Sequence, residues 1–411
     1  MSHVVAGLDV GSSSIKCIVA ERRRDGRLRV LSAFSTPSRG LRKGVVVHAD
    51  DLLTTMRQVV TDIARVSREA AKNIVLSVGG AHIRARLSRA SVAVSRADQE
   101  IQEDDVERVK TDAQTMVKLP PNYTVLHNIV SEFFVDGVGD IHDPVGMIGN
   151  RLEVECLIVE AFAPHVNSLI HAVQKAGGLV SGVIFAPLAV SDGILTKRQK
   201  ELGVLLLDIG FGTTSFIIYE EGKAVHTGSI PLGSGHITND VAIGLRIPVD
   251  LAEKLKLQYG CASSSNISRK EKIQLAEVDP DPSAERKSIE LSRRFLAEII
   301  EVRVEEILDW VHNEVQSFGR TVQLPAGVIL SGGGAELQGL GEFVREKLKL
   351  PVMSGAPDVS TFDAVNPSHH TYLESPQFSA VAGLIRWGGS RVRPMPEIPG
   401  ILKRLFKNLT P

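Results

Sequence analysis

Two short segments of the chain place an acid, glycines and hydroxyls at the same points between apolar runs. In the first, an apolar run from Val4 ends in Asp9, and Gly11, Ser12, Ser13 and Ser14 follow. The chain then returns as an apolar strand, Ile15 to Ala20, which carries Lys16. In the second, Val204–Leu207 leads into Asp208, then Gly210, Phe211, Gly212, Thr213 and Thr214, and Phe216–Tyr219 returns. Apolar runs joined across a short glycine-bearing turn read as β-hairpins. Glycine lets backbone N–H groups approach an anion closely, hydroxyls add donors, and lysine adds a point charge suited to phosphate. A carboxylate alone would repel phosphate. It becomes useful when a Mg²⁺, held through water, stands between the two. Each hairpin therefore reads as half of a Mg–nucleotide cradle. The copies lie about half a chain apart, as two halves facing each other across one nucleotide would need.

The elements that hold these hairpins follow from periodicity. Residues 27–36 alternate as a strand after the Asp25-Gly26 turn and extend the first hairpin into a meander. Val45–Val47 is a short strand. Asp50 or Asp51 caps a helix to about Arg68, with Leu52, Leu53, Met56, Val59, Val60 and Ile63 at helical spacing. Ile74–Val78 is a buried strand ending at Gly79-Gly80. The character then changes. Ile83–Val94 is a half-exposed strand or hairpin, Glu103–Leu119 a helix, and Thr124–Val135 and Leu152–Ala161 are strands joined by a loop at 136–150. This block, 82–162, reads as an inserted subdomain. Helix Pro164–Lys175, strand Leu179–Phe185 and helix Pro187–Leu195 lead to the second hairpin. Beyond it come strand Lys223–Ser229, helices Ile237–Leu245 and Asp250–Gln258, and a polar loop and strand at 263–281. A long helix Ser288–Phe318, strand Gly327–Leu330 and helix Leu337–Leu348 follow. The last core helix is Gln377–Trp387, whose Ser379, Ala380, Ala382 and Gly383 permit close packing.

Composition narrows the class. At 411 residues, two or more domains are expected, and 43% apolar against 23% charged residues suits large soluble cores. A net charge of −1 and few aromatics argue against nucleic acid as a partner. Cys17, Cys156 and Cys261 stand far apart, which fits a reducing compartment and no zinc site. The N-terminus enters a strand without a signal-peptide pattern. The longest uncharged run, Ala176–Ser191, is broken by glycines and Pro187 and is too short to span a bilayer.

Lesser motifs have competing readings. Ser331-Gly332-Gly333-Gly334 lies between a strand and a helix, where backbone can press against a ribose or α-phosphate; such turns are also common without ligands. Glu253 and Lys256 share one helix face. They bracket a ribose or adenine edge, or they form a solvated face, which taken alone is the simpler reading. No P-loop pattern occurs. Ser13-Ser14-Ile15-Lys16 matches an S-x-x-K pattern but lies on a hairpin instead of opening a helix, so it is chance. His369-His370 reads as surface loop.

The order of these elements resembles the actin/Hsp70/sugar-kinase superfamily. Gly7–Val19, Gly177–Leu195, Leu205–Gly222, Val328–Glu346 and Ser375–Trp387 carry the likeness. Within it the chain is similar to the FtsA family of actin-like bacterial cell-division proteins. Ile101–Val109, Asp143–Gly149, Ile230–Asp240, Ala252–Lys256 and Tyr259–Cys261 match, and the likeness covers essentially the whole chain. It implies an α/β, actin/Hsp70-like two-lobed ATPase fold with an inserted 1C subdomain and a C-terminal amphipathic helix. The implied plan is a first-lobe core at 1–81 and 163–200, the 1C insert at 82–162, and a second-lobe core at 201–226 and 307–365. An outer second lobe at 227–306, a closing helix at 366–387, a linker at 388–400 and a tail at 401–411 complete it. By resemblance, Asp9 and Asp208 flank Mg²⁺ through water. Gly11, Ser12–Ser14, Lys16, Gly210 and Gly212–Thr214 hold the phosphates of ATP, and Gly332–Gly334, Glu253 and Lys256 hold the nucleoside. The implied role is a polymer on the cytoplasmic face of the cell membrane, at the division site. It would tether the C-terminal tail of the tubulin-like protein FtsZ and recruit other divisome proteins. A pilus-assembly actin homologue of the PilM type and a small-molecule kinase of the superfamily are the alternatives. The chain departs from the family pattern at Phe211, where a glycine is usual, and at Ser215, where an aspartate is usual. Ala186-Pro187 stands where Hsp70-like members place a catalytic glutamate before proline, which argues against fast hydrolysis.

The tail has its own signal. Ile401, Leu402, Leu405, Phe406 and Leu409 form one apolar helical stripe, with Lys403, Arg404 and Lys407 on the other side and its flanks. The preceding residues 388–400, with Gly388, Gly389, Gly400, Pro394, Pro396 and Pro399, suit a spacer. A cationic amphipathic helix on a tether lies flat at an anionic bilayer surface.

Overall fold

Each hairpin expected from the sequence grows into one half of a duplicated sheet. The computed structural model describes residues 3–278, 290–317, 323–364, 366 and 368–389. In the first lobe, His3–Val10, Ser14–Arg22 and Leu28–Pro37 form an antiparallel meander. Ile74–Val78 and Val180–Phe185 add in parallel beside His3–Val10, and Phe362–Ala364 closes the far edge. In the second lobe, Val204–Ile209, Thr214–Glu220 and Lys223–Ile230 repeat the meander. Val328–Ser331 and Val352–Ser354 repeat the two parallel strands. The repeat extends to single residues. Asp9 pairs with Lys16 across its hairpin, and Asp208 pairs with Ser215 across the other.

Packing against these sheets fixes the lobes. Helix Ala49–Val66 buries Leu52, Met56, Val59, Val60 and Ile63 on one face of the first sheet, the stripe its spacing requires. His48 stands at its N-cap, with Asp50 and Asp51 inside the first turn, so neither aspartate is the cap. On the opposite face the connector helix Ala186–Ile194 crosses the closing helix Ser379–Gly389. The crossing is backbone on backbone. A Cβ at Gly383 would fall 1.7 Å from the Ala189 carbonyl oxygen, and one at Gly193 would fall 2.3 Å from that of Ser379. The closing helix runs through Gly388 and Gly389, so the two glycines taken as the start of the linker are helical. Gly388 packs so closely on the sheet that a Cβ would meet Val5 and Val75.

The insert is a four-stranded antiparallel sheet, ordered Ile83–Ala93, Arg151–Phe162, Tyr123–Val135, Val138–Ile141, under helix Glu103–Met116. Residues 83–93 form one strand and no hairpin. The strand Val138–Ile141, read as loop, follows from a tight turn at Asp136-Gly137, both at positive φ. The insert leans on both lobes. His127 Nε2 accepts the backbone N–H of Phe185, at the start of the connector helix, at 2.9 Å. Lys223, at the beginning of the second-lobe edge strand, bridges Glu132 at 3.1 Å and Asp140 at 3.0 Å. Leu157 is buried with Val204, Leu206 and Ile217 of the second lobe.

Other differences are local. Lys197–Leu202 is a helix, set by a capping box between Thr196 and Gln199. The long helix is Arg293–Ser317, 25 residues or about seven turns. Lys272–Gln274 pairs with Glu290–Ser292, and Leu275–Val278 is a helical turn. His369 and His370 belong to helix Ser368–Leu373 instead of a loop. The tail residues Ile401–Leu409 and the remainder of the linker lie outside the described residues. Among the described residues no helix is long and apolar enough to cross a membrane.

Truncating Leu157 tests the insert's attachment. Leu157→Ala removes a fully buried side chain at the junction with the second lobe. It is expected to cost ~2–5 kcal/mol in urea unfolding. A loss under about 1 kcal/mol, the range of an exposed site, would mean the junction is not packed as described.

Candidate functional site

The two hairpin turns face each other across a cleft of about 590 Å³, within the size range of nucleotide and cofactor sites. They are built alike. Gly11 N–H donates to the Ser14 carbonyl at 3.1 Å, and Gly210 N–H donates to the Thr213 carbonyl at 2.9 Å. Their tips nearly touch. A Cβ at Gly212 would lie 2.9 Å from Ser12 Oγ and 3.1 Å from Lys43 Cα. Ser12 Oγ also accepts the N–H of Gly44 at 3.2 Å.

Asp9, Gly11, Ser12, Ser13, Ser14, Lys16, Asp208, Gly210, Gly212 and Thr213 all line this cleft. Glu253, Lys256, Gly332, Gly333 and Gly334 line it too, although they come from distant parts of the chain. Thr214 does not. It is fully buried in the sheet behind the turn, and its hydroxyl has no hydrogen-bond partner among the described residues. The reason is strand alternation, which turns the residue after Thr213 away from the ligand side.

The glycine-rich turn after Val328–Ser331 enters a 3₁₀ turn, Gly333–Glu336, and the α-helix begins only at Leu340. Gly332 and Gly334 are required by contact. Gly332 has φ +82°, and a Cβ there would lie 2.6 Å from Asp208 Oδ1.

The structure replaces the solvated-face reading of Glu253 and Lys256. Lys256 is 6% exposed. Its ammonium donates to Glu253 Oε2 at 2.7 Å, Thr238 Oγ1 at 2.9 Å and the Ser234 carbonyl at 3.3 Å. Three donors with three acceptors leave no N–H for a ligand. Lys256 therefore sets Glu253 in place. Both contacts on Glu253, from Lys256 and Thr238, fall on Oε2, and among the described residues none donates to Oε1.

Ser77 escaped the sequence reading. Its hydroxyl donates to Asp9 Oδ1, and it stands beside Asp9 as Ser331 stands beside Asp208 in the other sheet. The duplication itself was the signal that could have found it. Ser215 and Phe211 line the cleft as well. Ser215 occupies the register position that Lys16 holds in the first lobe, and its hydroxyl donates to Ser229 Oγ at 3.0 Å.

The electrostatics are unbalanced. Asp9 has Lys16 at 3.8 Å and Ser77. Asp208 keeps partial exposure to the cleft as a residue, yet its carboxyl is surrounded by protein atoms. Burial first, then repulsion from Asp9, push its pKa up to about 7, opposed by Lys16. Two facing carboxylates with one nearby ammonium make a site that a divalent cation would relieve. The residues present therefore fit a Mg-nucleotide: acids for the metal's water shell, glycine turns and serines for phosphates, and Glu253 for a hydroxyl of the nucleoside.

The pKa of Asp208 has a consequence for the metal-free protein. The folded state holds this proton up to about pH 7, while the unfolded chain releases it near 3.8. The stability this group adds is complete below the lower value and is lost as pH rises to the upper one. Asp208→Asn keeps the neutral form throughout. In EDTA, the Tm of Asp208→Asn is expected to rise relative to wild type between about pH 4 and 7 and to hold level above. A gap that does not change with pH would refute the assignment.

Comparison with known proteins places the chain. A family model described as cell division protein FtsA matches residues 205–383, and one described as the SHS2 domain inserted in FtsA matches 80–160. Cell division protein FtsA of Pseudomonas aeruginosa is 33% identical over 386 residues, 94% of this chain and 89% of that protein. The chain belongs to the FtsA family. FtsA of Bacillus subtilis is 32% identical over 392 residues, 95% of this chain and 85% of that one. FtsA of Escherichia coli K12 is 29% identical, covering 94% and 90%. The match to the inserted domain coincides with the four-stranded insert. Among solved structures, the PilM–PilN type IV pilus biogenesis complex aligns with a TM-score of 0.62 at 16% identity, covering 94% of this chain and 98% of that one. MreB5 of Spiroplasma citri bound to ADP aligns with a TM-score of 0.52 at 12% identity, covering 93% and 94%. These likenesses establish the two-lobed actin-like fold of this FtsA-family chain.

Proposed function

We propose that this FtsA-family protein binds Mg-ATP between its lobes, polymerises on the inner face of the cytoplasmic membrane, and anchors the FtsZ ring there. The observation that carries this reading is the cleft itself. Two duplicated turns bring Asp9 and Asp208 to opposite walls of one cleft, in a chain of a cell-division family. An actin-like relative in fold, MreB5, is bound to ADP in its structure, which supports a nucleotide as the ligand here. Asp9 and Asp208 hold the water shell of Mg²⁺. Gly11–Ser14, Lys16, Gly210, Gly212 and Thr213 hold the phosphates. Glu253, set by Lys256, and Gly332–Gly334 hold the nucleoside. Bound Mg²⁺ supplies charge neutralisation between the acids and the phosphates. Ala186 lines the cleft where a water-orienting carboxylate would serve hydrolysis, so turnover is slow and the nucleotide acts chiefly as a structural ligand.

Assembly follows the head-to-tail stacking of actin-like lobes, a heterologous contact that propagates. The outer second lobe, 227–306, receives the FtsZ C-terminal tail. Ile243 and Val302, 76% and 68% exposed there, supply apolar surface for it. Other divisome proteins are recruited to the same polymer. The tail 401–411 supplies the membrane contact; one short helix holds weakly, so stable attachment draws on several tails in one polymer. The pilus-adaptor alternative shares the fold at 16% identity, whereas the cell-division relatives reach 33% over nearly the whole chain.

Vesicle co-sedimentation tests the reading. Full-length protein with ATP is expected to pellet with anionic vesicles and to carry an FtsZ tail peptide with it. Deleting residues 398–411 abolishes pelleting, and Phe406→Glu nearly does so, since it places a charge in the apolar stripe. A truncated protein that still pellets would put the membrane contact elsewhere, and a pellet without peptide would remove the FtsZ assignment.

A further inference from the structure

The second phosphate turn carries a feature that the first lacks. Gly11-Ser12-Ser13-Ser14 and Gly210-Phe211-Gly212-Thr213 superimpose in their closing hydrogen bond, so Phe211 stands where the first turn has Ser12. Ser12 reaches sideways to the N–H of Gly44. Phe211 reaches sideways to the outer second lobe instead.

Two backbone bonds stitch the turn to helix Ser234–Leu245. Ser234 N–H donates to the Gly210 carbonyl at 2.9 Å, and Gly235 N–H donates to the Phe211 carbonyl at 2.8 Å. The ring then lies on Gly235. A Cβ at that position would be 2.7–2.9 Å from ring carbons, so only glycine lets the ring seat. The Lys256 ammonium lies 5.8 Å from the ring centroid, within reach of a cation–π attraction. Lys256 ties helix Val249–Tyr259 to Ser234 and Thr238 of the neighbouring helix. Phe211 thus lies near the lysine that hydrogen-bonds across to the neighbouring helix. Phe211 is also 39% exposed and lines the cleft.

We infer that Phe211 is a positioning residue that couples occupancy of the phosphate turn to helix 234–245. A ligand that orders Gly210–Thr213 orders the ring, and the ring holds Gly235 and Lys256. Exposed Ile243 sits on this helix, so the coupling reaches the outer face of the second lobe. The inference rests on the nucleotide reading of the cleft and adds the route by which the nucleotide is felt outside it.

Hydrogen exchange, measured at nucleotide concentrations that saturate each protein, tests it. In wild type, Mg with a non-hydrolysable ATP analogue is expected to slow exchange across 234–245 by about tenfold, which equals about 1.4 kcal/mol of local stability. Phe211→Ala is expected to keep slowing at 210–214 and in helix 249–259, where Glu253 meets the nucleoside directly, and to lose it across 234–245. Gly235→Ala unseats the same ring from the other side and is expected to give the same loss, with no further loss in the double variant. If Phe211→Ala retains the slowing across 234–245, the ring is not the coupling element and the inference falls. If Phe211→Ala does not fold, Gly235→Ala decides, and retained slowing there overturns the inference. If wild type shows no slowing even at 210–214, the nucleotide reading of the cleft fails, and this inference with it.

Discussion

Asp9 and Asp208 are held on opposite walls of one cleft, close enough that Asp9 helps to raise the proton affinity of Asp208, and the architecture around them keeps them there. Each acid ends a buried strand, so its backbone is fixed by a meander on one side and a parallel strand on the other. Each has a serine on that parallel strand, Ser77 or Ser331. Holding two like charges in place has an electrostatic cost that an uncharged pair would not have. On the proposed reading, a cation and an anion occupy the space between, with the acids serving the first and the glycine turns the second.

Rigid lobes are therefore needed on both sides, with the junction between them controlled. The crossing at Gly193 and Gly383 locks the connector helix to the closing helix at backbone distance. The insert adds a second brace: His127 bonds Phe185 just ahead of the connector helix, Glu132 pairs with Lys223 of the second lobe, and Leu157 packs on that lobe. Partly buried ion pairs such as Lys223 with Glu132 add little stability by themselves. Their effect is to fix the orientation of surfaces already joined by apolar contact.

What was legible in the sequence depended on how local the signal was. The hairpins announced themselves because an acid, a glycine turn and two apolar runs fit within about fifteen residues, where period and turn chemistry suffice. The insert's strands and helix were legible for the same reason. Val138–Ile141 and Lys197–Leu202 were missed although Asp136-Gly137 and Thr196/Gln199 marked them; both elements are short and carry little periodicity. Thr214 came to the ligand by the family resemblance, but alternation along the strand buries its side chain. Lys256 was ambiguous because a lysine on a helix face is ordinarily solvated. Its burial depends on Thr238 and Ser234, contacts that no spacing rule reveals.

The central claim is that Asp9 and Asp208 act through one shared cation on a bound nucleotide. Titration of a fluorescent ATP analogue, with Mg²⁺ and with EDTA, into wild type, Asp9→Ala, Asp208→Ala and the double variant tests it most directly. In Mg²⁺ each single substitution is expected to weaken binding by about 10–100-fold, the range for groups that hold a metal through its outer shell. The double variant should lose less than the sum, because the second acid has no cation left to hold. In EDTA the four proteins should converge. Unchanged affinity in both single variants, or losses that add in full and persist without Mg²⁺, would contradict the account.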